Sequence, residues 1–411
     1  MTEESQHKFP INTSTSCQFK WTWSTLFLSV GTSSSCHRCK GWDISQYMHD
    51  FHNHPGKIED RKKMLNGEWP GNGCEYCKKV EVAGGVSERQ SYVNNSLLSP
   101  KELSLNPTET NVTPRILEVY FTNVCNQKCV YCSPFFSSLL QREVEKFGPI
   151  EVGYSYDGFK PRNDYDKLKG EFWKWMDKNS TDLFHFQILG GEPMYQEEFE
   201  ECLLFFEERN HPDLNWKIFS NLKHDTTKFI EKINRISELV KNKKIKSFEI
   251  VCSMDCWGPE AEFSRYGMSL IEWERNFNVL LESEYVNISV HSTITPITLP
   301  TMWEFYEKIN EWNKIKKVDF GWNTVKEPIF MNPEIIGLHA KEYLDKLLNV
   351  VPDTDSRKVY LEGIRNQIIN HEVDHIRLDR LCTYLDKIDQ RRGTNWKELY
   401  PWLNKIHINE N

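Results

Sequence analysis

RILEVYFTNVCNQKCVYCS, residues 115–133, begins as a β-rich run and ends in a loop carrying three cysteines. RILEVYF predicts a strand from its branched and aromatic side chains. The CxxxCxxC spacing then sets Cys125, Cys129 and Cys132 at the C-terminal end of that strand. The count of three is informative. Iron–sulfur clusters are usually held by four cysteines, so three in one loop leave one iron open to another ligand. A structural zinc site wants a fourth protein ligand, and this loop supplies none. The plain alternative is a set of buried or incidental cysteines.

Outward from this loop, β-rich runs alternate with helical ones. The runs are residues 115–121, 183–189, 215–221, 247–255, 286–295 and 318–325. Between them lie stretches such as DTTKFIEKINRISELV, where Asp225 is placed to cap and Phe229, Ile230, Ile233, Ile236, Leu239 and Val240 recur at helix spacing. Strand-plus-helix repetition implies an α/β fold with a parallel sheet, either doubly wound or an open, partial barrel. In both, ligands gather at the C-terminal strand ends. From about 333 the chain reads as helical, with Tyr343, Leu347, Leu361, Ile364, Ile368 and Ile369 as core positions. The first hundred residues read as irregular and cysteine-rich, joined to the rest by a polar linker at 94–114.

The chain has 411 residues, 39% apolar and 13% aromatic, with a formal net charge of −8. Such a composition folds, and it disfavours a general polyanion binder, which needs clustered Lys and Arg. The basic run KNKKIK at 241–246 reads as the solvated end of a helix. No run approaches the roughly 20 apolar residues of a membrane helix, and the N-terminal stretch lacks the pattern of a signal peptide. The expectation is a soluble, cytoplasmic protein whose 12 cysteines are mostly reduced, so that their clustering points to metal or redox chemistry.

At these residues the chain resembles the radical S-adenosylmethionine (radical SAM) superfamily, over about residues 113–330. The resemblance implies a partial (β/α)6 TIM-like barrel. It also implies a 4Fe-4S cluster on Cys125, Cys129 and Cys132, with S-adenosylmethionine completing the open iron, and places Tyr131 near the adenine. A second family mark is GGEP, Gly190–Pro193, after the second strand. Gly190 and Gly191 let backbone approach a ligand, and Glu192 offers a carboxylate to a cationic amine. Alternation puts Glu249, Val251, Ser253 and Asp255 on one face of the fourth strand. Ser253 and Asp255, with Asn221, are candidate ribose partners or, equally, turn formers. Arg265 resembles a family arginine for the methionyl carboxylate. The long, aromatic insert between Cys132 and Gly190 either covers the site or is a surface insertion.

Cys17, Cys36, Cys74 and Cys77 resemble the first half of the SPASM motif, or its shortened twitch form, which implies an auxiliary iron–sulfur cluster. Here the element precedes the barrel region instead of following it. Glu81, Gly85, Ser87 and Arg89, and the segment at 385–403, are also similar to twitch-containing proteins. The competing reading takes Cys36, Cys39, Cys74 and Cys77 as two CxxC knuckles for zinc, with Cys39 in place of Cys17. The division expected is 1–105 auxiliary-cluster domain, 113–330 radical SAM region and 331–411 helical segment.

The resemblance implies reductive cleavage of S-adenosylmethionine to a 5′-deoxyadenosyl radical that takes a hydrogen atom from a substrate. That substrate is expected to be a peptide or protein, or a small molecule, with flavodoxin or ferredoxin as reductant and nucleic acid disfavoured. Two rivals come from other classes. HEVDH at 371–375 matches HExxH, a zinc metallopeptidase pattern with His371 and His375 as ligands and Glu372 as base. The other is a non-catalytic iron–sulfur or zinc scaffold. Cys256 is a candidate hydrogen donor at the mouth of the site, whereas Cys202, Cys252 and Cys382 read as core and His49, His52 and His54 as a hydrated loop.

Overall fold

The computed structural model describes residues 14–36, 38–94, 109–153 and 158–409. Residues 95–108 of the expected linker and 154–157 of the insert lie outside them. The centre is a nine-stranded, mostly parallel sheet in the order β3-β2-β1-β4-β5-β6-β7-β8-β9. Its strands are β1 Trp23–Phe27, β2 Thr32–Ser34, β3 Trp42–Asp43, β4 Ile116–Tyr120, β5 His185–Leu189, β6 His211–Ser220, β7 Ile245–Ser253, β8 Val286–Ile294 and β9 Val318–Thr324. All six runs expected from the sequence form strands, β4 to β9, each parallel to the next.

Strand order follows chain order from β4 to β9, with no reversal. A doubly wound sheet reverses at a switch point, and β4 to β9 do not; with right-handed crossovers such an order brings successive helices to the same face. The side chains agree. In register across one face lie Phe186, Trp216 and Phe248, and beside them Ile188, Ile218, Ile250, Ile288 and Val318, all buried. The crossover helices cover this face. Phe206 of the Glu197–Glu208 helix meets Trp216 at 5.0 Å, and Phe305 of the Met302–Trp312 helix meets Phe320 at 6.0 Å.

The opposite face is mixed and polar. Glu118, Gln187, Lys217 and Glu249 align across β4 to β7, with Lys217 Nζ and Glu249 Oε2 at 2.7 Å and the Ser289 hydroxyl donating to Glu249. Toward the C-terminal ends this face carries Tyr120, Leu189, Phe219, Ser253, His291 and Thr293, the wall of a cleft.

The N-terminal segment is more regular than its composition suggests. Its β1 adds to β4 in parallel, pairing Thr25 with Glu118 and Phe27 with Tyr120, and β2 and β3 continue antiparallel to the sheet edge. The Thr25 hydroxyl donates to Glu118 Oε1 at 3.1 Å, and Phe27 stacks on Tyr120 with centroids 4.4 Å apart. The predicted helix at 225–240 is observed as Thr226–Lys241, capped by Asp225 accepting from the Lys228 amide at 3.1 Å. Phe229, Ile233, Ile236 and Leu239 are buried, but Ile230 faces solvent. Among the described residues no helix is long and apolar enough to cross a membrane.

HEVDH does not form the helix its metal-binding pattern needs. The Arg357–Ile369 helix ends before it, and the next helix, His375–Arg392, starts at its last residue, with Asp374 as the cap accepting from the Arg377 amide at 3.0 Å. Two histidines four apart share a face only on a continuous helix. The structure therefore corrects the metallopeptidase reading.

Candidate functional site

Cys125, Cys129 and Cys132 are half-buried and open onto one cleft of about 330 Å³ with Gln127, Tyr131, Gly190, Gly191, Asn221, Ser253, Arg265 and His291. Residues far apart in sequence converge because each lies in or beyond the C-terminal half of a neighbouring parallel strand. The loop is packed directly against GGEP. Val124, next to Cys125, accepts from the Glu192 amide at 2.8 Å and from Gln196 Nε2 at 3.3 Å. Gly191 has φ +57, and a Cβ there would lie 2.2 Å from the Val124 oxygen. Its glycine is demanded by the backbone of the cysteine loop itself.

Glu192 does not face the cleft. Its carboxylate is buried, accepting from the Asn221 amide at 2.6 Å and the Ser220 hydroxyl at 2.9 Å, with His224 Nε2 at 3.2 Å. It ties the end of β5 to that of β6. Asn221 does reach the loop: its Nδ2 donates to Asn126 Oδ1 at 2.9 Å and lies 3.9 Å from Cys125 Sγ.

Asp255 and Arg265 spend their charges on each other. Arg265 Nε and Nη2 donate to the two Asp255 oxygens at 2.9 and 3.0 Å, the Tyr131 hydroxyl donates to the same carboxylate at 2.6 Å, and the Thr293 amide at 2.8 Å. The pair is buried, Asp255 completely. Of this group Arg265 and Tyr131 line the cleft, with Ser253 beside them, while Asp255 stands behind as their anchor. Cys256 is fully buried in the hydrophobic core and does not line the cleft. The expectation of a thiol at the mouth is corrected: past Ser253, the residues Met254, Asp255 and Cys256 are wholly buried. Cys202, Cys252 and Cys382 are core, as expected; His52, expected in a hydrated loop, is instead buried, held by the Ser24 hydroxyl and the Trp21 carbonyl.

Burial pushes the Cys125 thiol up to about 12, and raises Cys129 and Cys132, so each keeps its proton in the metal-free chain. Among the described residues no group of three or more His, Cys, Asp or Glu side chains is arranged around a single ion. A cluster asks for something else, because each cysteine goes to a different iron and the sulfurs stand apart. One further observation fits a ligand here. Gln127 is 1% exposed and lines the cleft, yet among the described residues its Nε2 has no hydrogen-bond partner. A buried donor left unpaired costs stability unless an acceptor arrives.

The N-terminal cysteines also gather. Cys17, Cys36, Cys74 and Cys77 line one cavity of about 20 Å³, and Cys39 lies beside it with its Sγ 3.6 Å from that of Cys36. Lys20, almost wholly buried, places its ammonium 3.4 Å from Cys39 Sγ and 2.6 Å from Asp60. The buried Arg61 sits next to this group, bonded to the Lys20 carbonyl at 2.8 Å. Burial raises Cys17 to about 11, whereas Cys39 is held low by thiol donors and the Lys20 charge. Buried cations call for anionic partners, which thiolates supply. The cavity has room for about one water, so a cluster held here would need its ligand sulfurs to move apart. Glu81 accepts from Ser87 and Arg89, and Arg89 reaches the carbonyls of Ser14 and Ser16 beside Cys17.

Sequence reading did not find His291, Thr293 and Gln127, nor the C-terminal residues Tyr384 and Arg392 that touch the cysteine loop. Only the position of Gln127 between Cys125 and Cys129 could have drawn notice.

No protein-family model and no curated protein matches the chain. Among solved structures it is similar to native anSMEcpe with bound AdoMet and Kp18Cys peptide, at a TM-score of 0.35 and 17% identity, covering 60% of this chain and 62% of that one. The match thus spans less than two thirds of that chain's length.

Proposed function

We propose that the chain is a radical SAM enzyme built on a partial (β/α)6 barrel, in which Cys125, Cys129 and Cys132 hold a 4Fe-4S cluster beside S-adenosylmethionine. One observation carries this reading: the three-cysteine loop and the Gly190–Gly191 turn, 58 residues apart from Cys132 to Gly190, share one cleft at the C-terminal ends of parallel strands. When bound, such a cluster supplies an electron that cleaves S-adenosylmethionine reductively and starts hydrogen-atom abstraction from a substrate.

The chain's own residues do the orienting. The cleft-lining backbone at Gly190 and Gly191 receives the methionyl end, and Gln127 donates into the cleft. Arg265, fixed by Asp255, presents a cation with two of its three nitrogens already donating to that carboxylate, so it draws a second carboxylate by field more than by a new bidentate bond. Ser253 and Thr293 offer hydroxyls to a ribose, and Tyr131, oriented by Asp255, flanks the adenine. His291 is held neutral by burial and can accept or donate toward the substrate.

The N-terminal cysteines then form an auxiliary cluster on Cys17, Cys36, Cys74 and Cys77, with Cys39 as substitute ligand, in residues 1–105 beside the 113–330 radical SAM region and the 331–411 segment. A peptide or protein substrate and a flavodoxin or ferredoxin reductant in the cytoplasm complete the proposal. The test is anaerobic reconstitution, with iron and sulfide counted and 5′-deoxyadenosine assayed after reduction. About eight irons per chain are expected, falling to about four in the Cys125, Cys129, Cys132→Ala triple variant with loss of 5′-deoxyadenosine. Wild-type protein that takes up no iron would sink the proposal.

A further inference from the structure

The loop between Cys125 and Cys132 has no regular secondary structure, so its backbone groups need partners from elsewhere. Lys128 and Val130, the residues on either side of Cys129, have theirs supplied in full. The Lys128 amide donates to the Tyr266 carbonyl at 2.8 Å and the Val130 amide to the Ser264 carbonyl at 2.7 Å. Their carbonyls are taken from the far end of the chain. Arg392 Nη1 donates to Lys128 O at 3.0 Å, and the Tyr384 hydroxyl donates to Val130 O at 3.0 Å.

Arg392 is itself fixed. Its Nε and Nη2 donate to both oxygens of Glu143 at 3.2 and 3.0 Å, its carbonyl accepts from the Tyr266 hydroxyl at 3.2 Å, and its guanidinium lies 5.0 Å from the Tyr266 ring. The two ion-pair partners are 1% and 5% exposed at their side chains. Glu143 also pairs with Lys128, so the buried guanidinium and carboxylate are joined to the half-buried loop lysine.

We propose that Arg392 is a positioning residue for Cys129: from the C-terminal segment, with Tyr384, it holds the loop in its ligand-bearing shape before any cluster arrives. The proposal rests on reading this loop as a cluster site. A planar fork is required, because one guanidinium serves a carbonyl and a carboxylate at once, which a lysine ammonium does not reproduce in the same plane.

Hydrogen exchange of the metal-free, full-length protein reads the loop without any cofactor. The peptide covering 125–133 is expected to exchange on the order of tenfold faster in Arg392→Met than in wild type, and faster also in Arg392→Lys, while β8 keeps its protection. After reconstitution, both variants are expected to hold less iron than wild type. Tyr384→Phe removes a single donor and is expected to speed exchange at the same peptide by a smaller factor, so the proposal stays testable where Arg392→Met fails to fold. Wild-type exchange at 125–133 in folded Arg392→Met, or in Tyr384→Phe, would overturn it. Wild-type protein that binds no iron would instead overturn the functional reading and leave the exchange result to decide the role of Arg392.

Discussion

At Gly191 one methyl group is enough to disturb the site. Its Cβ would stand 2.2 Å from a carbonyl oxygen of the cysteine loop, at a backbone φ that L side chains rarely adopt. Gly191→Ala is expected to displace Val124 and cut iron uptake at the three-cysteine loop. Iron per chain after reconstitution checks this, and an unchanged count would show that the contact yields. Asp255 makes the opposite point, that a carboxylate expected to meet ligand instead holds a neighbour. Asp255→Asn leaves a buried guanidinium without its counter-ion, a change expected to cost about 3–5 kcal/mol. Urea unfolding at constant slope measures it. Sequence spacing found the polar residues after the fourth strand but not which of them are paired, because alternation fixes a face and says nothing of what stands opposite.

Among the elements, the six parallel strands and the Thr226–Lys241 helix were legible because strand and helix patterns alternate along residues 115–325. β1 was not. Its WSTLF is as long as β4 and β5 but stands outside the strand–helix alternation, and the partner that makes it a strand, β4, lies about ninety residues further on, a pairing no local pattern encodes. HEVDH failed for the converse reason: a local pattern matched, but Asp374 is a better helix cap than a helix interior residue. Burial sorts the helices in the same way. Trp216→Ala, which empties the seam between the apolar sheet face and its helices, is expected to cost about 3–5 kcal/mol, whereas Ile230→Ala, on the exposed side, should fall within about 0.5 kcal/mol. Paired thermal melts of the two variants test that contrast.

Across the whole molecule, buried thiols make stability depend on alkali. Cys17 is raised to about 11, and Cys125 and Cys382 to about 12, from an ordinary thiol value of 9.0. In this window the folded chain binds more protons than the unfolded one. The stabilisation is therefore complete below pH 9.0 and is lost as pH rises toward 11 to 12. Melting temperatures of the metal-free protein between pH 8 and 11 are expected to fall, and less steeply in Cys17→Ala; a flat profile would count against these burials. The union of β1 with β4 carries a different consequence, one of timing. A ribosome adding roughly 5–20 residues per second presents β1 several seconds before β4 exists to receive it. For that interval the N-terminal hairpin has a bare edge, which invites pairing with other nascent chains. Slowing synthesis lengthens the exposure, so the yield of folded protein should respond to the codons between residues 27 and 116.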